Sequence, residues 1–287
     1  HGHGHGAGGE DTVVTMFLTL FPVPRGTQKY AIQLNTLRAM HFLWPACEVV
    51  VFAKEAEIET MVAPLGLEVV KEFAVNPHGT PYLRSMFEHV THHAASPFVG
   101  YVNADILFNS ALVTTLRAVR RAIDDGTLHE RVLCVGQRTN VDMAADFVED
   151  HPQMLSSPAT LDDTIQAMAA RGSLFQTDAE DYFIITPGTL RWGEMPDFVI
   201  GRPGYDNWLV DYAYHRKSEV SLVDMTKTVP AVHQTGQDGN KAGHKSRADK
   251  GWNLALGAGG FDHGHTTHAN WKTRWDAAHG TVTVYKK

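Results

Sequence analysis

Apolar positions along the first half of the chain alternate between two periods. Apolar, β-branched runs at 12–20, 47–53, 67–73, 98–103 and 132–136 have the length and character of buried strands. Between them the apolar residues recur at helical spacing. Tyr30, Leu34 and Leu37 do so within 27–43, a second stretch spans 55–63 and is closed by Gly66, Leu83, Met86, Phe87 and Val90 follow Pro81, and Leu112, Leu116, Val119 and Ile123 make the last stripe. This β-α-β-α-β-α-β order predicts an α/β fold, a mainly parallel sheet with helices on both faces. Ligands of such sheets bind beyond the carboxyl ends of the strands, here the loops after Leu20, Phe73 and Val102.

The second half is less regular. Strands are expected at 181–186, 219–224 and 228–232, a helix from Tyr205 to about His215, and loop after Gly236, where Gly, His, Lys and Asn abound. No repeat or linker interrupts 11–287, which reads as one domain. Residues 1–10 open with His1-Gly-His-Gly-His-Gly and read as a tag or disordered lead. Their Gly4-x-Gly6-x-x-Gly9 match precedes the first strand instead of following it, so it is no dinucleotide motif.

Composition narrows the classes. With 287 residues, 43% hydrophobic, the chain can bury a sizeable core. A formal net charge of −7 without a basic stripe argues against a nucleic-acid partner. An anionic ligand would need a metal, Arg/Lys or helix N-termini to offset its charge. Cys47 and Cys134 each lie inside an expected strand and read as buried thiols. That and the absence of an Asn-x-Ser/Thr sequon lean away from a secreted, disulfide-built protein. No apolar run reaches 18 residues. The expectation is a cytoplasmic protein, or a Golgi-lumen one if an N-terminal anchor has been removed.

Five places carry candidate chemistry. In Asn103-Ala104-Asp105, an amide and a carboxylate share a face where a strand gives out, a donor set for Mg²⁺ or Mn²⁺; a helix cap at Asp105 is the plainer reading. Asp206 follows Gly201-Arg-Pro-Gly204-Tyr and falls in a first helical turn, either as a general base or as a stabiliser of the helix start. His233 ends an expected strand, as a metal ligand or an ordinary hydrogen-bonded imidazole. The stretch 238–247, with Lys241, His244, Lys245 and Arg247, could close over a diphosphate or stay solvated. His263-Gly-His265-Thr-Thr-His268 invites zinc but lacks partner ligands at finger spacing.

Taken in order, these motifs resemble the GT-A glycosyltransferases of the nucleotide-diphospho-sugar transferase superfamily, over roughly residues 12–256. That core runs from a Rossmann-like half through an acidic metal motif, a glycine-bearing loop and a helix-start acid to a late histidine. Asn103 stands where the family's Asp-x-Asp motif has its first Asp, which leaves Asp105 and His233 to hold the cation. The resemblance implies a sugar transfer from a nucleotide-diphosphate donor, UDP-sugar favoured, to a hydroxyl of a glycan or glycoconjugate. It further implies that Thr19, Leu20 and Phe21 hold base and ribose, that Arg84, Asn103, Ala104, Gly204, His244 and Lys245 help bind the donor, and that Mn²⁺ or Mg²⁺ neutralises the leaving group. Asp206 would be the base of an inverting reaction, Asp181 a second catalytic carboxylate, and Trp192, Trp208 and Tyr205 sugar-stacking surfaces. The rivals are a nucleotidyltransferase, disfavoured because Leu20-Phe-Pro-Val-Pro-Arg-Gly26 is not glycine-rich, a non-catalytic sugar or nucleotide-binding module, and a zinc hydrolase built on His263. No Gly-x-x-x-x-Gly-Lys-Ser/Thr occurs, so a P-loop enzyme is disfavoured.

Overall fold

The computed structural model describes residues 11–143, 157–237, 249, 251–257 and 263–287. The first half runs β1 (Val14–Thr19), α1 (Gln28–His41), β2 (Cys47–Phe52), α2 (Ala56–Val62), β3 (Glu68–Val70), α3 (Leu83–His93), β4 (Phe98–Val102), β5 (Ile106–Leu107), α4 (Ala111–Asp124) and β6 (Arg131–Val135). The second half runs β7 (Thr139–Asp142), α5 (Pro158–Arg171), β8 (Ser173–Leu174), β9 (Tyr182–Ile185), α6 (Tyr205–His215), β10 (Val220–Asp224), β11 (Val232–Thr235), α7 (Trp252–Ala255), β12 (Trp271–Asp276) and β13 (Thr281–Lys286). One sheet has the strand order β13-β12-β10-β6-β9-β4-β1-β2-β3, and a smaller one β5-β11-β7-β8. The expected α/β class, a mainly parallel central sheet flanked by helices, is what the chain forms.

Alternating strand residues feed two cores. Met16, Leu18, Val49 and Ile184 face one side and pack with Leu37 and Met40 of α1 and Leu112 and Leu116 of α4. Phe17, Val99, Tyr101 and Phe183 face the other, against Phe87 and Val90 of α3 and Leu209 of α6. Cys47 and Cys134 are free and buried, as expected, and burial pushes the Cys47 thiol up to about 12.

The departures from the pattern matter for the site. Strand β9 runs antiparallel to both β4 and β6. Its first residues therefore lie at the edge where β4 and β6 end. The strand expected at 228–232 is displaced to 232–235, because 225–229 folds into a turn in which Thr228 N and Val229 N both donate to Met225 O. His233 is thus inside a strand. Pro81 does not open α3; it stands before it, bridged to Val75, and Tyr82 is the N-cap. The tail is not all loop. Residues 271–286 form an antiparallel hairpin, β12 also pairing parallel with β10, and their alternating aromatic and β-branched residues suit a half-buried strand.

At the middle of the sheet, a Cβ on Gly100 would come within 2.7 Å of Ile184 Cγ1, 2.9 Å of Met16 Sδ and 3.0 Å of the Phe183 carbonyl. Gly100→Ala is expected to destabilise by about 1–3 kcal/mol through overpacking. A urea-unfolding midpoint equal to that of the parent would contradict this packing.

Candidate active site

Charged groups from distant parts of the chain gather where β4 ends and β9 begins in the central sheet and where β5 pairs with β11 in the smaller one. β4 ends at Val102, and Asn103 N donates to the Asp181 carbonyl at 3.0 Å, continuing the β4–β9 ladder by one residue. β5 pairs antiparallel with β11, placing Ile106 opposite His233. Asp105, one residue earlier, reaches His233 with Oδ2 3.0 Å from Nε2. His233 is 4% exposed, and its Nδ1 meets Thr235 Oγ1 at 2.9 Å. Two residues expected to share a cation from opposite ends of the sequence therefore lie side by side.

The Asp105 side chain is 39% exposed, yet its Oδ1 is shut from solvent with no hydrogen-bond partner among the described residues. Burial alone would raise its carboxyl; the charge and hydrogen bond of His233, with help from Arg138, outweigh that and hold it below the usual range. The residues fit a hard divalent cation on two counts. Oδ1 is an oxygen without a donor, and 3.0 Å between Oδ2 and Nε2 equals the separation of neighbouring ligands on a cation with bonds of about 2.1 Å. Thr235 as partner of Nδ1 would leave Nε2 free to ligate.

Asn103 is not poised as a ligand. Its Oδ1 accepts from Tyr101 Oη at 2.9 Å, and its Nδ2 donates to Asp181 Oδ1 at 2.7 Å. An aspartate here would set a carboxylate against Asp181, which accounts physically for the amide. Asp181 also accepts from Arg138 Nη1 at 2.9 Å, in an ion pair whose side chains are 8% and 7% exposed. Arg138 Nε donates to Asn140 Oδ1, and the guanidinium lies 4.2 Å over the Phe175 ring. Asp181, expected as a catalytic carboxylate, joins this network through Oδ1, while its buried Oδ2 has no hydrogen-bond partner among the described residues. Arg138 went unnoticed in the sequence, since a single arginine after a strand carries no pattern.

A second pair of carboxyls adjoins Asp181. Gly204 adopts φ 104°, a left-handed turn that suits glycine, and leads into α6, with Asp206 in its first turn. Asp206 Oδ2 accepts from Glu180 N at 3.4 Å. Burial, reinforced by the charge of Asp181, pushes Asp206 up to about 6, against the lowering effect of the Asn207 and Glu180 amides. Glu180 is 3% exposed, and among the described residues no donor reaches either of its carboxyl oxygens. Burial first, then the charge of Asp206, raise it well above the usual carboxylate range. Of the two carboxyls Glu180 is the more enclosed and keeps its proton, and Asp206 is the one that ionises near neutrality.

The other expected residues are distributed as follows. Phe21 has its backbone amide and carbonyl both engaged by the Gln33 side chain, at 2.6 and 3.1 Å, while its ring is 55% exposed beneath Lys29 Nζ. Leu20 is buried and Thr19 partly so. Arg84 bonds the Trp192 and Met195 carbonyls and pairs with Asp197 at 2.8 Å, so its guanidinium braces the segment before α6. Tyr205 is buried, half-buried Trp208 stacks on Tyr212, and Trp192 stacks on Phe87. Residues 1–10 and 238–247, the latter with His244 and Lys245, lie outside the described residues, but Gln237 N donates to Gln28 and Asp249 accepts from Thr80 on either side of the latter stretch. A cavity of about 190 Å³ lined by Thr15, Glu48, Glu68 and His89 lies near the starts of β1 and β2, away from these groups.

No known protein family and no curated protein matches the chain. Solved structures resemble it weakly. S. aureus TarS in complex with UDP-GlcNAc is 19% identical over 45% of this chain and 35% of that one, with a TM-score of 0.31. Glucosyl-3-phosphoglycerate synthase from Mycobacterium tuberculosis, with phosphoglyceric acid, is 11% identical over 78% of this chain and 72% of that one, at 0.40. CMP:2-keto-3-deoxy-manno-octonic acid synthetase with CTP is 11% identical over 78% and 93%, at 0.38. The match thus spans about a third of TarS. At such scores the likenesses carry no argument about the site.

The buried Glu180–Asp206 pair makes stability depend on pH. A carboxyl raised in the folded state loses stability as pH rises through its folded value, and loses none below its unfolded value. Glu180→Gln is expected to raise Tm by a few degrees at pH 8 and to leave it nearly unchanged at pH 4. A drop at pH 8 would show that Glu180 is ionised and paired instead.

Proposed function

We propose that the protein is a metal-assisted glycosyltransferase of the GT-A type, moving a sugar from a nucleotide-diphosphate donor, UDP-sugar favoured, to an acceptor hydroxyl of a glycan or glycoconjugate with inversion. The observation that carries this reading is the 3.0 Å approach of Asp105 to His233 beside the Glu180–Asp206 pair. It supports a reading in which a cation held beside the β5–β11 ladder of the smaller sheet and a carboxylate raised to about 6 act together beyond the end of β4, where α/β folds bind ligands.

Asp105 and His233 would hold Mn²⁺ or Mg²⁺. Such an ion, when bound, offsets the negative charge that builds on a departing diphosphate. The exposed Phe21 ring offers the base a stacking face at the end of β1. Asp206, ionised above about pH 6, accepts the proton of the acceptor hydroxyl as its oxygen bonds to the anomeric carbon, and the bond from that carbon to the diphosphate breaks. Protonated Glu180 orients the Asp206 carboxylate. The buried Arg138–Asp181 pair fixes β9, and with it Glu180, against β4. Gly204 lets the chain turn into α6 close to a donor. His244 and Lys245 would add positive charge over the diphosphate.

Thermal shift separates the two halves of the site. A nucleoside diphosphate with Mn²⁺ is expected to raise Tm more than either alone. Asp105→Ala removes that joint shift, whereas Asp206→Ala keeps it and loses turnover by about 100-fold or more. Absence of any shift across a panel of nucleotides, or an Asp206→Ala enzyme as active as the parent, would remove the assignment. For the parent, kcat/KM is expected to fall about tenfold per unit below pH 6, the limb a base titrating near 6 requires. A flat profile from pH 5 to 7 would exclude Asp206 as that base.

A further inference from the structure

The carboxyl-terminal half of α6 faces the segment that follows residue 262, and there a second donor set comes together. Asp211 and His215 sit one turn apart on the helix, with Oδ1 and Nε2 at 3.2 Å. His263 joins them, and one ligand atom from each of the three lies within 4.8 Å of the others. We propose that Asp211, His215 and His263 form a Zn²⁺ site, with water as the fourth ligand.

The chemistry and the geometry both favour it. Two imidazoles and a carboxylate make a common zinc donor set, and bonds of about 2.0 Å put tetrahedral ligands about 3.3 Å apart, close to the 3.2 Å already present. His263 is positioned without metal. Its ring stacks on Tyr214 at 3.9 Å with the planes 6° apart. The next carbonyl, Gly264 O, accepts from Asn207 Nδ2 at 3.0 Å, and a Cβ on Gly264 would come within 2.7 Å of Asn207. Among the described residues His263 Nδ1 nevertheless has no hydrogen-bond partner, though it is shut from solvent, which an ordinary packed histidine avoids.

The neighbouring histidines do not compete. His268 Nδ1 accepts from His265 N, and His265 Nδ1 meets Thr177 Oγ1 at 2.9 Å. The three histidines close in sequence therefore do not act as one ligand set; of them His263 joins Asp211 and His215, about 50 residues upstream, while the His268 ring packs edge-on against Tyr214 of α6. Bound zinc would clip the 263–268 segment to α6. That segment also holds the chain just before Glu180, through Thr266 N to Thr177 O at 2.9 Å.

The full chain carrying His1→Ala, His3→Ala and His5→Ala, so that the N-terminal histidines cannot contribute, is stripped with chelator. It is then titrated calorimetrically with ZnCl₂ in the absence of nucleotide. One equivalent is expected, with a rise in Tm, and Co²⁺ in its place should give the intense visible absorption of a four-coordinate site. His215→Ala and His263→Ala, added singly, should each abolish the equivalent and the cobalt band. Asp105→Ala and His268→Ala should keep both. His215 is 57% exposed, so its replacement leaves the fold in place, and an unchanged metal-free Tm checks this. No zinc equivalent in the parent, one that survives His215→Ala and His263→Ala, or one lost with Asp105→Ala would each overturn the proposal.

Discussion

The carboxylate of Asp181 is removed from water and held by Arg138 at 2.9 Å and Asn103 at 2.7 Å. Nothing else in the sheet edge is so constrained. Burying such a pair costs several kcal/mol per ion unless the geometry is close and further hydrogen bonds fill the remaining positions. Here Asn103 fills one, and Asn140 and the Phe175 ring occupy the other side of the guanidinium. Three strand ends are thereby fixed to one another: β4 through Asn103, β7 through Arg138, and β9 through Asp181 itself. Removing Arg138 alone would strand a buried charge, so the network holds the edge together even though it adds little net stability.

Its consequences reach the chemistry on both sides. Toward β11, the charge of Arg138 helps keep Asp105 ionised, and β5 sets Asp105 beside His233. Toward α6, burial raises both Asp206 and Glu180, and the negative charge of Asp181 adds to it. Burial and this buried ion pair together divide the acids into an ionised, partly exposed ligand and an enclosed, raised pair. The same geometry explains Asn103. The amide donates where a second carboxylate would repel, so the departure from Asp-x-Asp follows from the neighbour at 181 and leaves the cation site resting on Asp105 and His233.

The first five strands of the central sheet in chain order and their helices were legible, because burial imposes one period on a strand and another on a helix, and both survive in residues such as Leu83, Phe87 and Val90. Asp105, Asp206 and His233 were legible as candidates for a similar reason: each sits where a regular element begins, ends or pairs. Glu180 and Arg138 were not. The raised pKa of Glu180 comes from burial, with Asp206 facing it across 26 residues, and the role of Arg138 from an antiparallel strand inserted between two parallel ones. Neither leaves a spacing along the chain. The hairpin of β12 and β13 was missed for another reason. It lies at a sheet edge, where half its positions are polar and the Gly- and His-rich surroundings mask the alternation of Trp271, Thr273 and Trp275.

Helix α6 connects the proposed base with the second donor set. Asp206 lies in its first turn, where the helix dipole favours an anion and partly offsets the burial that raises its acidity. Asp211 lies five residues on, about 7.5 Å along the axis, and His215 closes the helix. The face between them is packed by Leu209, Val210 and Ala213, so the helix behaves as a single rigid body. A clip at its far end would therefore act on the carboxylate at its near end by fixing the helix as a whole. It would also act through the 263–268 segment on the chain entering Glu180. The proposed base is then governed from two directions: by its burial against the sheet edge, to which the charge of Asp181 adds, and by whatever holds α6 against that segment.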